Sequence, residues 1–121
     1  FKILLCAPGI GFYSESMLME YSTKESKDTL FIFITGDFTF QSYYKWQEVK
    51  GEALAVNSAR IVVNLDDVDK LDSAGLGMLL TMQAEQVNRN ATMFLKRPNN
   101  RFVKTLLEQA KFDTIISFCD D

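Results

Sequence analysis

The chain of 121 residues contains no histidine. That removes the commonest general base, the usual nucleophile–histidine triads and most zinc sites. Proline and glycine are scarce, at 2 and 6, which argues against a disordered or low-complexity chain. The two cysteines, Cys6 and Cys119, sit near the chain ends. A disulfide needs those ends to meet and nothing in the spacing requires one, so a reduced compartment is the default expectation. The longest apolar runs, such as 31–34 and 76–80, are far shorter than the roughly 20 residues that cross a bilayer, so no membrane insertion is expected. Residues 2–7 are apolar but short, and no convincing small-residue cleavage site follows, so no signal peptide is expected. Clustered basic residues are also missing. The net charge is −3, which argues against a phosphate-backbone partner and hence against direct nucleic-acid binding. Lys96, Arg97, Arg101 and Lys104 approach a cluster and read as a solvated helix face. There is no Gly-x-x-x-x-Gly-Lys-Ser/Thr loop, and Gly9-Ile10-Gly11 lacks a third glycine and reads as a turn.

What is present suits one domain with one core: 47% apolar residues and 24% charged. Residues 2–6 read as a short strand ended by Pro8-Gly9. Residues 17–23 read as an edge strand and 29–35 as a buried one, ended by Gly36-Asp37. A helix is expected over 42–55, with Tyr43, Trp46, Val49 or Lys50, and Ala53 or Leu54 at helical spacing. Residues 60–65 are nearly all apolar, as in a strand covered on both faces. An acidic loop over 66–72 follows, then a helix over 73–88 with Leu76, Leu79, Leu80 and Val87 on its apolar face. Residues 91–96 read as a strand, 99–110 as a helix facing inward with Phe102, Val103, Leu106 and Leu107, and 115–118 as a last strand. The order β-β-α-β-α-β-α-β gives an α/β fold. Its mixed sheet of about four to five strands is antiparallel at the start and parallel after, with right-handed crossovers. Residues 1–16 read as an N-terminal extension of unknown role, and 17–121 as the domain.

One segment carries chemical information. In Asn64-Leu65-Asp66-Asp67-Val68-Asp69-Lys70-Leu71-Asp72-Ser73-Ala74-Gly75-Leu76-Gly77, a buried strand runs into carboxylates and Asp-Ser opens a helix. The hydroxyl of Ser73 then lies at the positive end of a helix dipole, where free N–H groups tolerate an anion. Asp66, Asp67, Asp69 and Asp72 would repel a phosphate there, so phosphorylation would change the surface field sharply. The bland alternative is that Asp-Ser only caps the helix. An acidic cluster such as Asp66, Asp67 and Asp69 can bind Mg²⁺, but a solvated loop is the plainer account of it. Phe31, Phe33, Phe94 and Phe102 are expected in the core, whereas Phe38, Phe40, Tyr43, Tyr44 and Trp46 cluster near the Gly36-Asp37 turn. Two or three of these, if exposed, would make an apolar anchor beside Ser73.

Residues 64–80, with the order of elements around them, resemble the STAS family, and within it the bacterial anti-sigma factor antagonists. The Asp-Ser-x-Gly-Leu-Gly motif is met by Asp72, Ser73, Gly75, Leu76 and Gly77. A Thr-Gly-Asp turn is met by Thr35, Gly36 and Asp37, and the tail 101–118 with its Phe112-Asp113 pair is also similar. The details at 76–80 and 111–113 most resemble proteobacterial antagonists run by two-component partner-switching systems. The resemblance implies that Ser73 is a phosphoacceptor. It implies that the unphosphorylated chain binds an anti-sigma factor that is also a serine kinase, and that a serine phosphatase restores binding after phosphorylation. Asp72, Ser73, Ala74, Gly75, Gly36, Asp37, Phe38 and Thr39 would form the partner-binding surface, with Asp72 orienting the hydroxyl or touching the kinase. It implies a cytoplasmic regulator that needs no cofactor and no metal and performs no catalysis. Two departures stand out: Ala74 replaces a second hydroxyl residue, leaving one acceptor, and Thr39 replaces a common acidic residue. The alternative is a non-switching STAS subunit of a phospholipid-transport ABC system, which shares much of the motif. The edge strand or the extension could also pair with a second copy, giving a homodimer.

Overall fold

A computed structural model describes residues 18–120 of the chain. Strand β1 (Glu20–Ser26) turns through Lys27 and Asp28 into β2 (Thr29–Phe38), with Lys27 in the left-handed region at φ 56°. A single 3-10 turn, Phe40–Ser42, leads into α1 (Tyr43–Val56). Then come β3 (Arg60–Leu71), α2 (Ser73–Asn88), β4 (Thr92–Lys96), α3 (Arg101–Gln109), a 3-10 turn at Phe112–Thr114, and β5 (Ser117–Cys119). The five strands lie in one sheet in the order β1-β2-β3-β4-β5. The hairpin β1–β2 is antiparallel and the other three pairings are parallel. The expected α/β architecture and element order are what the chain adopts.

Alternation along the strands builds the core. Leu30, Ile32 and Ile34 of β2, Ile61, Val63 and Leu65 of β3, and Met93 and Leu95 of β4 share one buried cluster. Trp46, Val49 and Ala53 of α1, Leu79 and Met82 of α2, and Val103 and Leu107 of α3 close over it. Each Val, Leu, Ile or Met side chain among these contributes about 1.5–3 kcal/mol on burial. The alternate positions form a cross-strand row, Phe31–Val62–Phe94, on the other face of the sheet. The Arg60 guanidinium lies 4.8 Å from the Phe94 ring centroid there.

Several expectations are corrected. The acidic loop over 66–72 is strand instead: β3 runs on to Leu71 because β2 runs on to Phe38, pairing Thr35 with Asp67, Gly36 with Val68 and Phe38 with Leu71. Val68 and Leu71 are buried while Asp67 and Asp69 point outward. The edge strand starts at Glu20, later than residue 17. On α2 the inward stripe is Gly75, Leu79, Met82 and Gln86, so Val87, about 100° round the helix, is exposed. On α3 the stripe is Val103 and Leu107, which turns Phe102 out to solvent by the same geometry. Phe31, Phe33 and Phe94 are half-buried on the second face and lie outside the main cluster. Lys96 and Arg97 are not on a helix: Lys96 ends β4 and is paired with half-buried Asp66 at 2.5 Å, while Arg97 follows it, exposed and paired with Asp120 at 2.9 Å. Cys119 has no disulfide partner among the described residues. Cys6, the strand expected over 2–6 and the extension 1–16 lie outside the described residues. No helix among the described residues is long and apolar enough to cross a membrane.

Candidate functional site

The longer β2 and β3 bring the Gly36-Asp37 turn and the Asp72-Ser73 helix start to the same end of the sheet. Asp72 caps α2 and joins the two. Its Oδ1 accepts a hydrogen bond from the Gly75 N–H at 2.8 Å. Its Oδ2 accepts one from the Phe40 N–H at 3.1 Å. One carboxylate thus satisfies a free donor at the helix start and fixes the loop after β2 against it. Ser73 follows as the first helical residue and is exposed, at the positive end of the helix dipole.

The loop has its own brace. The Ser42 hydroxyl donates to the Asp37 carbonyl at 2.7 Å and accepts from the Thr39 N–H at 3.1 Å. Gly36 takes φ 85°, between the two register shifts that separate β2 from regular pairing with β3. Such a positive φ is costly for any residue with a Cβ. Gly75 is needed for a different reason. A Cβ there would lie 2.5 Å from the Phe38 carbonyl oxygen and 2.7 Å from Leu71 Cδ1, because α2 starts directly on the end of β2.

The eight residues expected at the site come together, with different exposures. Ser73 is exposed, while Asp37, Thr39, Asp72 and Ala74 are half-buried. Gly36, Phe38 and Gly75 are buried. Phe38 is fully enclosed, its ring 4.9 Å from that of Trp46, so its side chain belongs to the core and is not offered to a partner. Its neighbour takes the outward position: Phe40 is 66% exposed, and Tyr43 and Tyr44 are exposed beside it.

Besides the Asp72–Phe40 bond, sequence reasoning left two features unseen. The first is the Ser42 brace, signalled only by the Thr39-x-x-Ser42 spacing of a capping box. The second is a groove of about 610 Å³ between α1 and α2, lined by Phe40, Tyr43, Trp46, Ala74, Gly77 and Met78 among others. The ion pair of Lys50 with Glu85, at 3.1 Å, ties α1 to α2. Trp46 is buried and its indole N–H has no acceptor among the described residues.

The carboxylates are partly committed elsewhere. Asp66 accepts from the Lys96 ammonium and from the Asn99 N–H at 3.2 Å. The hydrogen bond to Asp66 holds the Lys96 pKa above its ordinary value. No three side chains of metal-ligating type come together among the described residues.

The family model described as STAS domain matches residues 20–121. Solved structures share the fold at low identity. An anti-sigma factor antagonist from Mycobacterium paratuberculosis aligns with TM-score 0.74 and 13% identity, covering 85% of this chain and 86% of that one. A putative anti-sigma factor antagonist from Thermotoga maritima gives 0.75 and 20%, covering 84% and 86%. The Bacillus cell fate determinant SpoIIAA in its phosphorylated form gives 0.62 and 14%, covering 83% and 91%. No curated protein sequence matches the chain. The family match over nearly all described residues, with the matching fold and the Asp72-Ser73 helix start, settles the family: the chain belongs to the STAS domain family.

Proposed function

We propose that this chain is an anti-sigma factor antagonist that works by partner switching, with Ser73 as its phosphoacceptor. The observation that carries the reading is the placement of Ser73. Its side chain is exposed at the start of α2, while Asp72 beside it clamps the surrounding backbone. An exposed hydroxyl on a fixed frame suits a kinase, which must hold the acceptor in line with a phosphoryl donor. Phosphate would bring nearly two negative charges to an edge that already carries Asp37, Asp69 and Asp72. A partner fitted to the unmodified surface would then lose its fit. The likeness in fold to SpoIIAA, solved in phosphorylated and unphosphorylated forms, supports the same reading.

In this account the unmodified chain binds an anti-sigma factor that is also a serine kinase, in the cytoplasm. Phosphorylation of Ser73 releases it, and a serine phosphatase resets the chain. The chain itself catalyses nothing. Ser73, Asp37, Thr39 and Ala74 face the partner, and Gly36, Phe38, Asp72 and Gly75 hold them in place.

The test is capture from the source cell's lysate with wild-type, Ser73→Ala and Ser73→Asp baits, read by mass spectrometry. A serine-kinase-like protein should be held by wild type and Ser73→Ala. Ser73→Asp should hold it at least tenfold less well, about 1.4 kcal/mol. Equal capture of an ATPase and a permease by all three baits would point instead to the lipid-transport alternative and leave Ser73 a residue of the helix start.

A further inference from the structure

We infer that the groove between α1 and α2 is the seat for an apolar helix of the protein partner, which lays an uncharged face against Gly77 and Met78 beneath Phe40. This rests on the partner-binding reading of the Ser73 face and names the chemistry of what binds there.

Gly77 is the first reason. A glycine inside a helix destabilises it relative to alanine. Nothing lies within 4 Å of where its Cβ would be, so no packing within the described chain explains the bare position. Gly75, two residues earlier, is explained fully by contact with Phe38 and Leu71. The missing side chain at Gly77 leaves open space over the α2 backbone, which lets another helix come close.

The groove's chemistry is the second reason. Phe40 and Tyr43 are exposed at 66% and 50% on its rim, and Met78 offers an adaptable thioether. The charged residue in its lining, Lys50, is already paired with Glu85. A groove that is electrically closed selects an uncharged apolar insert, because a charged one would lose its water without gaining a partner. Helices that bind in this way carry anchors at i, i+3, i+4 and i+7. Exposed aromatics beside a preformed groove are where binding energy concentrates.

The third reason is continuity with Ser73. Ala74 lines the groove directly after the proposed phosphoacceptor. A phosphate there would place charge and bulk at the mouth of an apolar seat. The inserted helix would be disfavoured by desolvation as well as by repulsion.

The test uses the whole chain, labelled with ¹⁵N, and two synthetic helical peptides. One carries leucine at i, i+3, i+4 and i+7 of an otherwise Ala, Glu and Lys helix; the other has glutamine at those four positions. The leucine peptide should cause saturable shifts centred on Phe40, Tyr43, Gly77, Met78 and Thr81, and the glutamine peptide none. Gly77→Leu fills the groove in open space and should weaken binding at least tenfold while the chain stays folded by circular dichroism. Phe40→Ala, which keeps the backbone N–H that Asp72 holds, should weaken it about fivefold and stands in if Gly77→Leu misfolds. Shifts on the Phe31–Val62–Phe94 face instead, no saturable shift in the groove, or undiminished binding by the folded variants would overturn the proposal. Peptide binding in the groove together with lysate capture indifferent to Ser73→Asp would keep the seat and sink the phosphoswitch. The reverse pair of results would do the opposite.

Discussion

Two glycines separated by one residue do opposite work in α2. Gly75 touches Phe38 and Leu71 so closely that a methyl group cannot fit without moving β2 or the helix. The main obstacle is the Phe38 backbone carbonyl, which cannot swing aside as a flexible side chain would. Gly75→Ala should therefore destabilise the fold by about 1–3 kcal/mol, the usual cost of overpacking. Gly77→Ala meets nothing among the described residues and should stabilise it, by up to about 1 kcal/mol, through helix propensity alone. Urea titration of the two variants checks this, with opposite shifts of the midpoint expected at unchanged slope. Shifts of the same sign would mean that one of the two positions is packed differently from the geometry described. Both glycines belong to one sequence motif, and their spacing alone assigns them one role. The motif made the Ser73 helix start legible because a cap is local: Asp72, Ser73 and Gly75 lie within a single turn. It did not reveal the second oxygen of Asp72 on Phe40, 32 residues away, because that contact depends on how far β2 and β3 extend.

At the scale of elements, the edge of the sheet is held by a small polar hub. Tyr21 on β1 donates its hydroxyl proton to Glu52 of α1 at 2.5 Å, and Thr23 donates to the other oxygen at 3.1 Å. Burial first, then the hydrogen bond and the negative charge of Glu52, push the Tyr21 pKa from 10.0 up to about 12. The folded state therefore holds this proton more tightly than the unfolded chain. The stabilisation is fully present below pH 10 and is lost as pH rises from 10 through about 12. Lys96, with its pKa also raised, loses its contribution in the same direction. Wild type should thus lose stability across this alkaline window. Tyr21→Phe should be less stable at neutral pH and lose less between pH 10 and 12. Thermal melts at pH 8, 10 and 11.5 decide the matter, and parallel losses in the two proteins would refute the hub. The type and order of the elements could be read from periodicity, since 60–65 and 29–35 are apolar runs bounded by breakers. Their ends could not. Asp66, Asp67 and Asp69 look like a loop by composition, yet Val68 and Leu71 between and beyond them supply the inward positions of a strand.

The described residues share one core, and Trp46 sits where that core meets the groove. Its ring packs on Phe38 at the end of β2, while its helix, α1, forms one wall beside Ser73. The buried cluster is continuous from Met19 through α1, α2 and α3 to Ile116, so no element can leave without opening the same cluster. A partner site built directly on such a core is preorganised: its shape is fixed before binding, which lowers the ordering cost of association. The expected consequence is cooperative unfolding in a single step. Trp46 is the one tryptophan in the chain and is 1% exposed, so its emission reports the groove wall separately from the helix signal of the whole chain. Urea curves followed by Trp46 fluorescence and by circular dichroism at 222 nm should coincide in midpoint and slope. If the fluorescence transition came first, α1 would be a locally weaker unit. The groove would then be formed only part of the time, and an apolar helix binding there would also have to bear the cost of ordering it. Coincident curves mean that the groove wall unfolds together with the core beneath it. A phosphate would then act by altering that surface, because no described element unfolds ahead of the core.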